Sequence, residues 1–296
     1  MRYTLRQLEV FLAVARAGSV TAAAGALAMS QSAASGALAD LESAFDAPLF
    51  ERMGKRLVLN ERGQMVRAQA EAVWSHASEL EQSLAGRGGA TRLRIGATMT
   101  IGDYLVVPLM ARFMRERPGA EVTLAVANTE EIARQVANFE IDVGLIEGEI
   151  EAGDLEVIRW RDDELTVFAG PDHPLARKRA LSDDDLRSAP WVVRERGSGT
   201  RQAFDRAMHG LLPDLRIALT LEHTEGLKGA VAAGIGLGCL SHLALRDAFA
   251  HGTLRPCRVP HRDFRRQFYF LLAADKPAGA GVEAWLELCR RAPERD

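Results

Sequence analysis

Apolar residues recur at helical spacing through the first part of the chain, in short runs separated by tight breaks. In the first run Leu5, Leu8, Phe11, Leu12 and Ala15 fall on one helical face. Thr4 and Gln7 have capping-box spacing at its start, the hydroxyl capping one backbone N–H and the amide reaching back to another. Gly18 suits the left-handed residue past its end. A second helix starts near Ser19 or Thr21 and runs through "TAAAGALA". Met29 and Ser30 make a short turn, and Ser30 caps a third helix. Ala34, Ala37, Leu38, Leu41 and Phe45 form the buried stripe of that helix. Two short helices joined by a tight turn, the second with a small polar outer face, make the helix-turn-helix pattern. Pro48 ends helical order. "PLFER" and "RLVLN" then alternate as two strands with "MGK" as their turn, a β-wing.

Residues 62–86 read as one long helix. Met65, Ala68, Ala72, Ser75, Leu80 and Leu84 give it a partly coiled-coil-like seam. So isolated a helix is marginal alone, which predicts pairing with a second copy. "GRGGAT" at 86–91 is a flexible hinge. From residue 92 the pattern changes to strands such as "LRIGAT", "VTLAVAN", "IDVGLI", "LTVFAG", "PWVVRE", "RIALTL" and "QFYFLLAAD", most of them separated by helices. That alternation predicts α/β sheets, largely parallel. The stretch is too long for one small unit, so two lobes are expected, as in solute-binding proteins. The predicted division is a winged helix-turn-helix over 1–61, a linker and dimerisation helix with hinge over 62–90, and a two-lobed domain over 91–296. Lobe I takes about 91–163 and 267–296, and lobe II about 164–266.

Composition changes this picture mainly by exclusion. With 47% hydrophobic and 26% charged residues the chain is ordinary globular protein. A formal net charge of -3 gives no global sign of nucleic acid, so any basic surface is local. Cys239, Cys257 and Cys289 lie far apart in no metal-ligand spacing, as reduced, buried thiols of a cytoplasmic protein would. No apolar run approaches a membrane span of roughly 18 residues. Glu9 and Arg16 interrupt the run around Val10 to Ala15, which argues against a signal peptide. "GIGLGC" at 234–239 follows a helix and precedes a strand, the reverse of a dinucleotide loop. Ser198 in "RGSGT" has neither nucleophile-elbow spacing nor an evident His and Asp to activate it. No metal motif occurs among the seven His. No enzyme, metal or cofactor is therefore expected.

Two groups of polar residues remain as candidates. Gln31, Ser32 and Ser35 occupy the outer face at the start of the third helix, where Gln can bond adenine twice and Ser can bond bases or phosphates. Arg52, Lys55 and Arg56 cluster on the wing and are placed to neutralise phosphates or enter the minor groove. Thr21 and Ser30, at helix starts, either hold a phosphate or only cap. The second group follows strands of the α/β region. Thr98 and Thr100, with Ile101 beside them, open one helix, Thr129 opens the next, and Gly197, Ser198, Gly199 and Thr200 open a third. Each start presents free N–H groups and a hydroxyl, and such ends face the cleft of a doubly wound sheet. Converging, they form an anion site; separately, they are ordinary caps. Glu147, after a strand, and His223, before a helix, are candidate cleft residues. Glu147 suits a ligand with a donor or a change in protonation, or else a structural hydrogen bond.

The stretch "SVTAAAGALAMSQSAASGALADLESAFDAPLFERMGKRLVLNERG" resembles the helix-turn-helix and wing of LysR-type transcriptional regulators, and the resemblance extends over the whole chain. "TMTIGDYLVVPLMARF", "NTEEIARQV", "GLIEG", "DHPLA", "RERGSGTR" and "EGLKGAVAAGIGLGCLS" are similar to a branch that regulates sulfur assimilation, cysteine synthesis and carbon fixation. The resemblance implies double-stranded promoter DNA, a small anionic effector held by the hydroxyls above, a homodimer or homotetramer, and RNA polymerase as partners. Three residues depart from the family pattern. Asp46 stands where Gly is usual and tolerates the left-handed conformation better than most. Ser32 replaces a helix-starting Pro. Gly36 lies inside the recognition helix, at about 1 kcal/mol relative to Ala. The rival readings are a solute-binding protein serving a transporter and an α/β enzyme with an unrelated N-terminal extension. The N-terminal 90 residues oppose the first, and the missing catalytic constellation opposes the second.

Overall fold

Local caps decide where the first helices begin. The computed structural model describes residues 2–54, 56–84, 91–150, 153–274 and 278–292, without the side chains of 68, 75, 79, 82 and 83. Lys55 and most of the expected hinge lie outside the described residues. Helix α1 (Leu5–Ala17) starts in a reciprocal cap between Thr4 and Gln7 and ends at Gly18, whose φ is 62°. Ser19 caps α2 (Val20–Ala26), and Ser30 caps α3 (Gln31–Ala44). Leu8, Phe11, Leu12 and Val14 pack against Ala23, Ala24, Ala34, Leu38 and Leu41. Two residues that share the apolar faces read from the sequence, Leu5 on the first helix and Phe45 in the buried stripe of the third, lie outside the core. Leu5 and Phe45 are each about half exposed, at 47% and 48%. Leu5 is the first residue of α1 and precedes the turn that meets the core. Phe45 sits at the cap of α3, where Asp46 turns the chain with a left-handed φ of 46°. There Phe45 contacts the Tyr3 ring at 6.2 Å instead.

The wing is the antiparallel pair β1 (Phe50–Met53) and β2 (Arg56–Leu59). Leu57 N–H donates to Gly18 O, which ties the wing to the end of α1. Helix α4 (Glu61–Leu84) then departs close against it. A Cβ on Gly63 would lie 2.2 Å from Leu49 O, so only glycine permits this approach. Along α4, Met65, Leu80 and Leu84 are exposed, and Ala72 is half-buried. The opposite side carries the buried Arg67 and Glu71.

Beyond the hinge the chain forms β3 (Arg92–Thr98), α5 (Met99–Ile101), a π turn over Gly102–Val106, α6 (Val107–Glu116), β4 (Glu121–Ala127), α7 (Thr129–Ala137) and β5 (Val143–Glu147). Strand β6 (Leu155–Ala169) crosses into a second lobe. That lobe holds α8 (Asp183–Ser188), β7 (Pro190–Arg194), α9 (Gly199–Ala207), β8 (Arg216–Leu221), α10 (Thr224–Ala232), β9 (Leu237–Ser241), α11 (His242–Ala250) and β10 (Arg255–Cys257). β11 (Arg265–Ala273) returns to the first lobe, and α12 (Ala280–Arg291) closes it. The strand order is β4-β3-β5-β11-β6-β9-β7-β8, with β10 also on β6. β3 pairs in parallel with β4 and β5, and β7 with β8 and β9. The crossing strands β6 and β11 run antiparallel.

β6 begins at Leu155, well before the apolar "LTVFAG" that marked it in the sequence. Its first part, "LEVIRWRDDE", is too charged for its alternation to stand out. Ile158 and Trp160 nevertheless pack against the lobe I core, where Phe113 and Trp285 meet edge to face at 5.7 Å. In lobe II, Trp191 and Phe204 lie 5.0 Å apart in a separate core. Lobe I also touches α4. Arg67 Nη1 donates to Asn138 Oδ1 at 3.2 Å, Nη2 donates to Asn138 O, and the guanidinium lies 5.3 Å from the Phe139 ring centroid.

Candidate functional site

The first candidate surface is the outer face of α3 with the wing. Ser30 Oγ accepts from Ala33 N–H at 3.1 Å and lies 3.1 Å from Ser32 Oγ, so Ser30 serves as the cap. Gln31, Ser32 and Ser35 are all exposed. A Cβ built on Gly36 meets nothing within 4 Å, so this face is open. Thr21 is exposed as the second residue of α2, which Ser19 rather than Thr21 caps. Arg52 and Arg56 are exposed on the paired wing strands, Arg52 opposite Leu57 and Arg56 opposite Met53. Lys55, between them, lies outside the described residues.

The second candidate lies where the lobes meet. Three hydroxyls converge on the carboxylate of Glu147, the last residue of β5. Thr98 Oγ donates to Oε2 at 2.5 Å, Thr100 Oγ to Oε1 at 3.1 Å and Thr200 Oγ to Oε1 at 3.2 Å. Thr98 and Thr100 stand on lobe I and Thr200 on lobe II. Thr129 Oγ binds the same residue differently. It donates to the Glu147 backbone O at 2.8 Å and accepts from Gly199 N–H at 3.1 Å. Glu147, Thr98, Thr100 and Thr200 are each at most 2% exposed. The anion that these hydroxyls bond in this structure is the chain's own carboxylate.

Glycines permit the contact. A Cβ on Gly199 would lie 1.7 Å from Glu147 O, and one on Gly197 (φ 84°) would lie 2.9 Å from Glu130 Oε2. Ser198 Oγ, by contrast, faces Arg201 N–H as the cap of α9. Ile101 is buried within the lobe I core. His223 is exposed at the start of α10 and makes no side-chain cap there.

Arg266 completes the cluster and escaped the sequence reading. Its Nη1 donates to Thr200 Oγ at 2.9 Å, its Nε to Asp163 Oδ2 at 2.6 Å, and Nη1 lies 3.7 Å from Glu147 Oε1. Ser241 Oγ donates to the other Asp163 oxygen at 2.7 Å. Asp163 and Arg266 sit on β6 and β11, the strands that cross between the lobes. The signal was present in "RRQFYFLLA". Arg266 shares the inward face of β11 with Phe268, Phe270 and Leu272, a register in which a charge needs a buried partner.

Further contacts join the lobes. Glu149 N–H donates to Gln202 Oε1 at 2.7 Å, and Tyr104 Oη donates to Glu225 Oε1 at 2.7 Å. The three thiols are buried. Burial pushes Cys239 and Cys289 far up and Cys257 to about 11, so they rest as thiols at neutral pH. Among the described residues no cluster of His, Cys, Asp or Glu could hold a metal ion. Among the described residues no single helix is long and apolar enough to cross a membrane.

A winged helix-turn-helix head joined by a long helix to two lobes around a polar junction defines a ligand-responsive DNA-binding regulator. Residues 5–64 match the bacterial regulatory helix-turn-helix proteins of the lysR family, and residues 86–294 match the LysR substrate binding domain. The chain belongs to the LysR family of transcriptional regulators, which excludes both the transporter-protein and the enzyme readings.

The regulator YeiE of Escherichia coli K12 is 39% identical over 98% of both chains. The RuBisCO operon transcriptional regulator of Allochromatium vinosum is 34% identical, over 97% of this chain and 95% of that one. CysL of Bacillus subtilis is 30% identical over 89% of each. CysL and the RuBisCO operon regulator belong to the branch that the sequence resembled. Full-length OxyR from Pseudomonas aeruginosa, solved as a cysteine-to-aspartate variant, superposes with a TM-score of 0.74 at 22% identity, over 98% of this chain and 96% of that one, and shows the fold alone. The regulatory domain of CcmR from Synechocystis PCC6803, solved in complex with 2-PG, superposes with a TM-score of 0.63 at 31% identity. It covers 68% of this chain and 96% of its own.

Proposed function

We propose that a small anionic metabolite bound between the lobes controls how this regulator holds promoter DNA. The observation that carries the reading is the meeting of Thr98 and Thr100 from one lobe with Thr200 from the other on Glu147. A ligand entering there exchanges bonds between the lobes for bonds to itself, and so favours one lobe arrangement over another. Thr98, Thr100, Ile101, Thr129, Glu147, Gly197, Ser198, Gly199, Thr200 and His223 form the proposed site. The 2-PG complex of CcmR supports a ligand of this kind. Helix α7 offers a route to the head, running from Thr129 in the cluster to Asn138, which receives Arg67 of α4.

On the DNA side, Gln31, Ser32 and Ser35 read or position bases, while Arg52, Lys55 and Arg56 meet phosphates. Thr21 and Ser30 stand at helix starts beside them. The exposed apolar residues of α4 supply the surface for a homodimer or, by further association, a homotetramer. Double-stranded promoter DNA, RNA polymerase and a cytoplasmic location complete the reading. A gel shift on the divergent promoter beside the gene tests it. The titration runs with and without sulfate, sulfite, phosphorylated sugars, 2-phosphoglycolate and nucleotides. One of these anions is expected to change operator affinity and to raise the melting temperature. Operator binding indifferent to every anion would refute the proposed effector class.

A further inference from the structure

Two buried polar atoms of lobe II make no hydrogen bond among the described residues. Both stand at the end of its sheet that faces lobe I. One is Nη1 of Arg194, the last residue of β7, which is 3% exposed. Nε and Nη2 of this guanidinium donate to Glu195 at 2.8 and 2.9 Å and leave the third nitrogen over. The other is Oγ of Thr224, the first residue of α10, which is 2% exposed. Arg194 pairs with Leu221 across β7 and β8, and the chain turns into α10 just beyond Leu221. The two unpartnered donors thus belong to neighbouring chain ends.

The start of α10 differs from those around it. Asn128, Ser198 and Ser241 cap α7, α9 and α11 with side-chain oxygens, whereas His223 accepts none of the first N–H groups of α10. Lobe I brings Asp103 to this place. Burial and Glu225 push the Asp103 carboxyl up, while His223 and Arg194 draw it down. Tyr104, next in the chain, reaches across to Glu225.

We infer that the start of α10 seats the acidic group of the effector, with Arg194 Nη1 and Thr224 Oγ donating to one oxyanion. This rests on the reading above that an anion binds between the lobes, and it assigns the two ends of that ligand. A buried donor without an acceptor is costly, and a guanidinium backed by uncapped N–H groups suits an oxyanion. Glu147, which accepts from three hydroxyls, accepts from a hydroxyl or ammonium at the ligand's other end. The ligand class is therefore a small carboxylate or phosphate monoester that also carries a hydrogen-bond donor.

Calorimetric titration of the full-length protein tests this with inorganic phosphate, sulfate, 2-phosphoglycolate and 3-phosphoglycerate as probes. For a probe that binds the wild type, Arg194→Lys is expected to weaken binding by about tenfold or more. Thr224→Val, which keeps the volume, is expected to weaken it by about tenfold. Thermal unfolding verifies that each variant is folded. 3-Phosphoglycerate, with its hydroxyl, is expected to bind more tightly than inorganic phosphate. Wild-type affinity in both folded variants would overturn the inference and leave the anion reading standing. If Arg194→Lys does not fold, unchanged affinity in Thr224→Val alone overturns it. A wild type that binds none of the four probes would overturn both.

Discussion

The DNA-reading head and the junction of the lobes handle polar groups in opposite ways. On α3 and the wing, Gln31, Ser35, Arg52 and Arg56 are exposed, with water as their ready partner. At the junction, Thr98, Thr100, Thr200, Glu147 and Arg266 are buried and satisfy one another. An exposed group can wait for DNA at little cost. A buried one must be bonded before any ligand arrives, because desolvation without a partner costs free energy. Contact residues can therefore be separate on the head, whereas those in the cleft form a network in which each member's loss exposes the others.

The largest test of that contrast is Glu147→Ala. It removes the acceptor of three buried hydroxyls and one neighbour of Arg266. The effector domain is expected to lose about 3–5 kcal/mol, the range for breaking a buried charged cluster. Denaturant unfolding measures it, and a loss below about 1 kcal/mol would break the comparison. On the head, Gln31→Ala is expected to leave stability unchanged and to cost about 1–3 kcal/mol of operator affinity, with less effect on random DNA. Equal losses on both DNAs would mean that Gln31 does not read a base. Arg67→Ala asks whether the two regions communicate through α7. The ratio of operator affinities with and without effector is expected to shrink by about 0.5–2 kcal/mol, and an unchanged ratio would remove this contact from the coupling. The smallest effect per residue is expected on the wing. Arg52→Ala with Arg56→Ala weakens binding to every sequence and lowers the log–log salt slope by about 1.8. An unaltered slope would take these arginines off the phosphates.

The head was legible because its determinants are local. The Thr4 and Gln7 cap, the Ser30 cap and the left-handed turn at Asp46 each involve residues a few positions apart. Helical period alone overextended the stripes, since it places Phe45 in phase but does not say that the chain turns away after it. In the α/β region the apolar strands stood out, while the charged first half of β6 did not. There the partner that makes it a strand is β11, far along the chain.

By itself, then, the sequence determined the order of elements, the capped helix-turn-helix with its wing, and the family to which the chain belongs. It also marked Thr98, Thr100, Thr129, Glu147 and Thr200 as polar residues at the ends of strands and starts of helices. Only the tertiary structure decided that their hydroxyls bond Glu147, that Arg266 and Asp163 join them from the crossing strands, and that Arg194 and Thr224 keep unpartnered atoms. The reason is physical. A cap is set by neighbours along the chain, but a buried charge is set by whatever the fold brings beside it, and Thr100 and Thr200 meet on Glu147 only because two lobes close on each other.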